Sequence, residues 1–139
     1  MNISIEEYRL VVDFGMVVLI WMVQLLIYPS FKYFEKDGLN QWHSKYTRNM
    51  SFVVMPLMTI QMILAIFQLY RNSTSYSIIS LIFIVVLWLI TFAYFVPLHQ
   101  KITKGLATQR NLQLLVRVNW IRTILWTALF FLSLINGAS

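Results

Sequence analysis

Residues 78–98 read IISLIFIVVLWLITFAYFVPL, without a single charged side chain. A helix needs about 20 such residues to cross the hydrocarbon core of a bilayer. Three further stretches, 14–31, 51–70 and 118–135, are of the same kind, and only Arg122 places a charge inside any of them. In a chain of 139 residues they leave no room for a soluble domain. The charged fraction of 12% agrees, since soluble domains carry about 25%.

The pattern predicts one all-α domain over 1–139, an integral membrane protein with helices over about 4–33, 41–71, 75–104 and 109–135. Every connection is short, so successive helices are expected to be antiparallel neighbours in an up-down-up-down four-helix transmembrane bundle. Ser4 is placed to cap the first helix, with Glu6 and Glu7 at its positive end. The run 35–40, containing Asp37-Gly38, reads as a turn, with Asn40 capping the second helix. Pro29 is placed to bend the first helix and Pro56 to kink the second. Gly105 suits the position just past the third helix, and Thr108 the cap of the fourth.

The net charge of +6 lies at the helix ends and is an orientation signal, so no nucleic-acid partner is expected. Lys32, Lys36, Lys45, Arg48, Lys101, Lys104, Arg110 and Arg117 fall on the face that holds the 32–50 and 99–117 connections. The opposite face has Arg9 and Arg71 against Glu6, Glu7 and Asp13. Positive loops stay in the cytoplasm, which predicts a plasma membrane protein with both termini extracellular or, in a bacterial host, an inner membrane protein with both termini periplasmic. The acidic N-terminal decapeptide has no signal-peptide character, so the first helix is expected to remain. There are no cysteines, which excludes disulfides, thiolate metal sites and cysteine nucleophiles.

Polar residues in a membrane helix usually turn towards the bundle interior. Here they recur at helical spacing. Trp21, Gln24 and Tyr28 share a face of the first helix, and His43, Met50, Val54, Leu57 and Gln61 one of the second, flanked by Tyr46 and Thr47. Trp88, Thr91, Phe92, Phe95 and His99 share one of the third, and Asn119, Arg122, Thr123 and Trp126 one of the fourth. Most of the hydrophilic members lie towards the cytoplasmic end. The outer half reads as apolar apart from Asp13. A polar cavity open to the cytoplasm is the expected consequence.

Arg122 stands about a turn inside the last apolar stretch, where a charge costs roughly 2.5–3.5 kcal/mol on insertion scales. It holds an anionic substrate group or a carboxyl partner, or else it snorkels to the interface or bonds backbone carbonyls. His43 and His99 are the only histidines. They suit acid–base chemistry, a shared metal or haem site, or plain interfacial hydrogen bonding. Trp21, Trp88 and Trp126 either line a pocket for a flat apolar ligand or pack the bundle. Trp42, Tyr33, Tyr46 and Tyr76 are expected as interfacial anchors. The methionines of the second helix, Met50, Met55, Met58 and Met62, supply an adaptable wall or fill gaps.

The segments Phe95-Val-Pro-Leu-His99, Asn119-Trp-Ile-Arg-Thr123 and Trp126, with Tyr28-Pro-Ser-Phe31, Trp42-His43, Pro56 and Gln61, carry a resemblance over nearly the whole chain. It resembles small bacterial four-helix membrane proteins of unknown function. More distantly it is similar to the anthrone oxygenase-like family, which shares a proline-containing end of helix 3 followed by an arginine in helix 4. That resemblance implies oxidation of a polycyclic phenolic without a bound metal. The chain departs from it at His99, where an amide is expected.

Three functions follow as expectations. In the first, a cytoplasm-facing pocket binds, and oxidises or otherwise alters, an amphipathic or aromatic small molecule. Gln24, Asn119 and Arg122 hold its polar end, Trp21, Trp88 and Trp126 pack its body, and His43, His99 and Tyr28 move protons. No cofactor or metal is required. In the second, the protein is a non-enzymatic subunit or scaffold, a homo-oligomer or part of a larger membrane complex, with the lipid bilayer its main partner. In the third, the two histidines bind haem.

Overall fold

A computed structural model describes residues 4–137 of the chain, so the single-domain reading of 1–139 extends past it at both ends. Among the described residues there are four long helices: α1 (Ile5–Tyr33), α2 (Lys36–Arg71), α3 (Ser75–Thr103) and α4 (Gln109–Gly137). All four are long and apolar enough to cross a membrane. Contacts between helices run from α1 to α2 to α3 to α4 and back to α1. Directions alternate: Arg9 near the start of α1 meets Gln68 near the end of α2, and Trp21 of α1 meets Thr127 of α4. The end of the bundle holding the α1–α2 and α3–α4 connections is called the inner end below, and the other the outer end.

Local chemistry sets the boundaries. Ser4 accepts from the Glu7 amide while Glu7 accepts from that of Ser4, a capping box that starts α1. Thr74 and Ser77 do the same for α3, and Thr108 with Asn111 for α4. α3 ends where Gly105 takes φ +70°, a left-handed conformation that suits glycine, and the Leu106 amide turns back to the Lys101 carbonyl. The expected turn over 35–40 is not formed, because α2 already begins at Lys36. Asn40 therefore lies inside α2 rather than at its cap. Its amide nitrogen donates to the carbonyls of Lys36 (3.1 Å) and Ile102 (3.0 Å), tying the start of α2 to the end of α3. α2 continues as one α-helix through Pro56.

α1 and α3 share a feature that their hydropathy hides. Each contains five π-helical residues, Val23–Ile27 and Thr91–Phe95, followed by an X-Pro pair, Tyr28-Pro29 and Val96-Pro97. The amides of Tyr28 and Val96 reach back five residues, to the carbonyls of Val23 and Thr91. Proline has no amide hydrogen and its ring crowds the carbonyl four residues back, so a wider turn just before it relieves the clash. The extra residue also moves the inward face. Buried positions step from Ile20 to Gln24, Tyr28 and Phe31 in α1, and from Leu87 to Thr91, Phe95 and Leu98 in α3. Phe92, expected on the inward face, is turned outward.

The interior is apolar in its middle, where Met16, Ile20, Met58, Ala65, Ile84, Leu87 and Leu129 are fully buried. It is polar towards both ends. The polar outer end corrects the expectation of an apolar outer half. Arg9 and Asp13, both fully buried, form an ion pair with Nε 3.0 and 2.9 Å from the two carboxylate oxygens. Gln61 and Ser133 donate to the same carboxylate, Tyr76 bonds Ser133, and Gln68 accepts from Arg9. One carboxylate thus gathers side chains from all four helices. Arg9, counted above with the loop charges, belongs to the bundle interior.

Candidate functional site

At the inner end, α2 and α3 part around a cavity of about 320 Å³. That is about twice the 150 Å³ of an engineered cavity that accepts benzene, and lies at the low end of small-molecule pockets. Leu19, Val23, Met50, Val54, Met55, Phe95 and Val96 give it apolar walls. Tyr28, Thr91, His99 and Arg122 supply its polar surface from α1, α3 and α4. Exposed Ser51, Gln100 and Lys104 mark its rim between α2 and α3.

Three of the residues singled out in the sequence form a continuous hydrogen-bonded chain. The Tyr28 hydroxyl is 2.8 Å from His99 Nε2, His99 Nδ1 is 2.8 Å from His43 Nε2, and His43 Nδ1 is 2.9 Å from Thr103 Oγ1. The π-turns position two of these groups, since they swing Tyr28 and the Phe95–His99 turn towards the bundle axis. Aromatic packing holds the third: Phe31, fully buried, stands edge-on to His43 at 5.3 Å, and Trp42 stacks on Tyr46 behind it. Of the expected interfacial anchors, Tyr33 and Trp42 are exposed, whereas Tyr46 lines the cavity and Tyr76 joins the outer network.

The chain can carry protons in one direction through neutral rings. Tyr28 donates to His99 Nε2, His99 Nδ1–H to His43 Nε2, and His43 Nδ1–H to Thr103. Reversing every bond gives an equally satisfied chain, which is the requirement for a relay. The two imidazoles face each other through a hydrogen bond. A haem iron with both as axial ligands would hold the nitrogens about 4 Å apart, and a tetrahedral metal at roughly 2 Å from each would hold them about 3.3 Å apart. Among the described residues no three His, Asp or Glu side chains cluster at metal-binding distance.

Arg122 is 5% exposed and lines the cavity floor. Its guanidinium lies over the faces of Phe95 (4.2 Å) and Trp126 (5.1 Å), and its Nε has no acceptor in the protein. It does not snorkel. Trp126 is fully buried beneath it and donates to Gln61, so its ring serves the inner site and its N–H the outer network.

The remaining candidates lie elsewhere. Gln24 accepts from Asn119 (2.9 Å) and donates to the Val116 carbonyl (3.1 Å), forming a clasp between α1 and α4 away from the cavity. Trp21 is on the outer surface of that helix pair, donating to Thr127 and packing edge-on against Trp120. Trp88 stacks on Phe92 and does not line the cavity. The sequence reading had passed over Thr103, which ends the relay, and Arg9, Gln68 and Ser133, which build the outer network. The i,i+4 spacing of Arg9 and Asp13 was the one available signal for the latter.

No family model matches this chain, no curated protein matches it, and no solved structure matches it.

Proposed function

We propose that this is an integral protein of a bacterial inner membrane, with both termini on the outer side, whose inner-end cavity binds an amphipathic or aromatic small molecule and exchanges a proton with its polar group. The observation that carries this is the Tyr28–His99–His43–Thr103 chain, which starts in the cavity wall beside Arg122. A ligand hydroxyl seated against Tyr28 would give its proton to the Tyr28 oxygen as Tyr28 passes its own to His99 Nε2. His99 then releases its Nδ1 proton to His43 Nε2, and His43 its Nδ1 proton towards Thr103 and the inner surface. Arg122 stabilises the oxyanion left behind. Deprotonation makes a phenolic ring electron-rich, the state from which it is most readily oxidised, and oxidation is what the resemblance to the anthrone oxygenase-like family implies.

The placement in the membrane rests on four spans and on the positive loops. With Arg9 buried in its ion pair, Arg71 is the only basic residue left exposed at the outer end among the described residues, which sharpens the bias towards an inner-end cytoplasmic face. A scaffold role would account for the Gln24–Asn119 clasp and the outer network, but it gives the cavity no purpose.

The test is thermal unfolding in detergent with a panel of bicyclic phenols such as 2-naphthol, comparing wild type with Val54→Phe, which fills the cavity. A ligand that binds only the native state raises the unfolding temperature by mass action. The shift is expected in wild type and absent in Val54→Phe. No shift in wild type, or the same shift in both, would overturn the assignment.

A further inference from the structure

Arg122 is a fixed positive charge without a counter-ion. Of the five acidic residues, Glu6, Glu7 and Asp13 lie at the outer end, and Glu35 and Asp37 are exposed around the start of α2; none lines the cavity. The single ion pair among the described residues, Arg9–Asp13, is at the far end of the bundle. A buried charge is tolerated when something pairs with it, and here the protein supplies two ring faces and the neutral Tyr28 hydroxyl but no acid. Phe95 and Trp126 hold the guanidinium by its π surface, which leaves its N–H edge as the part able to bind. A planar N–H edge matches two oxygens of one anion, or one oxygen with a localised charge. Thr91 Oγ1, also buried in the cavity wall, makes no hydrogen bond within the protein and adds a second polar contact.

From these observations we propose that the cavity is an oxyanion site: it takes an aryl carboxylate or phenolate of one or two rings, from the membrane through the gap between α2 and α3, and pairs it with Arg122. The inference deepens the assignment of the cavity as a binding site and rests on it. Volume limits the ring system, since 320 Å³ is about twice the room that benzene occupies in an engineered cavity. A longer tail would remain in lipid, because the rim at Ser51, Gln100 and Lys104 is open between the two helices. Lys104 at that rim adds a second positive charge on the entry path. The relay gives phenols a route to the same bound state, as it can remove the proton that a carboxylic acid has already lost at neutral pH.

The experiment compares three probes with one ring system: 2-naphthoate, 2-naphthol and the neutral methyl 2-naphthoate. Equilibrium dialysis against nanodiscs with and without the protein separates binding from partition into lipid. Wild type is expected to bind 2-naphthoate at least about tenfold more tightly than the methyl ester, as charge-assisted pairing with a buried guanidinium requires. Arg122→Met should erase that preference and leave ester binding unchanged, while Arg122→Lys keeps part of it. If 2-naphthol alone matches the naphthoate affinity, and loses it in His99→Phe, the natural ligand is a phenol; if naphthoate alone is favoured, it is a carboxylate. Equal affinity for all three in wild type would overturn the oxyanion site and leave a neutral aromatic pocket. So would a preference that survives Arg122→Met, or, should that variant fail to fold, a preference fully kept in Arg122→Gln. Failure of all three to bind wild type would remove the binding site itself.

Discussion

Asp13→Ala should strand Arg9. In the native bundle the Asp13 carboxylate accepts from Arg9 Nε, Gln61 and Ser133, and both charged residues are fully buried. Arg9 keeps only Gln68 as a partner once the carboxylate is gone, and its Nη2 already has none in the protein. Removing one member of a buried ion pair costs about 3–5 kcal/mol, because the other charge stays in a medium that solvates it poorly. The lost Gln61 and Ser133 bonds add less, as interhelical side-chain bonds in membranes average about 0.6 kcal/mol. The penalty should therefore come from the guanidinium. Replacing both charges, with Arg9→Met and Asp13→Ala, removes that term and should leave the bundle within about 2 kcal/mol of wild type. Reversible unfolding in mixed micelles containing SDS, followed by helical circular dichroism, gives the four corners of the cycle. A cost below about 1 kcal/mol for Asp13→Ala, or a double variant equal to the sum of the singles, would refute the claim that the pair is desolvated and coupled.

Gly105→Ala forces a Cβ into the left-handed region and to 2.7 Å from the end of the Asn40 side-chain amide, so it should lower stability by about 1–2 kcal/mol in the same assay. Asn40→Ala in that background removes the clash but not the backbone strain, and full recovery would show that the strain had been overestimated. Because the chain has no cysteine, Ser73→Cys and Leu106→Cys report topology directly. A membrane-impermeant maleimide should label position 73 in intact cells and position 106 only after permeabilisation; the reverse pattern would turn the proposed orientation over.

The four long apolar helices were legible because apolar length is a property of sequence that tertiary contacts hardly alter. The residues of the relay were legible for a related reason: His43, His99 and Tyr28 are the kind of side chain that a bilayer tolerates only when turned inward. The same rule placed Arg122. It misled for Gln24 and Asn119, which are as polar and as buried, yet bond to each other across α1 and α4 instead of facing the cavity. Spacing on one helix says which face a residue is on, not which neighbour that face meets. Trp21 and Trp88 were misjudged similarly, since an indole suits lipid contact as well as a pocket.

The sequence alone determined a membrane-sized, all-helical chain with a strong charge bias between its two ends. Hydropathy and loop charge are sums over local residues, and no long-range contact is needed to read them. Three things waited for the tertiary structure. Two π-turns ahead of Pro29 and Pro97 re-aim the inward faces by one residue, an adjustment that periodicity at 3.6 residues per turn cannot register. Asp13 draws Arg9, Gln61, Ser133 and, through Ser133, Tyr76 into one network from four separate helices. Arg122 is left without a counter-ion beside a relay only because no acid from any other helix comes to meet it, and that is decided by how the helices pack.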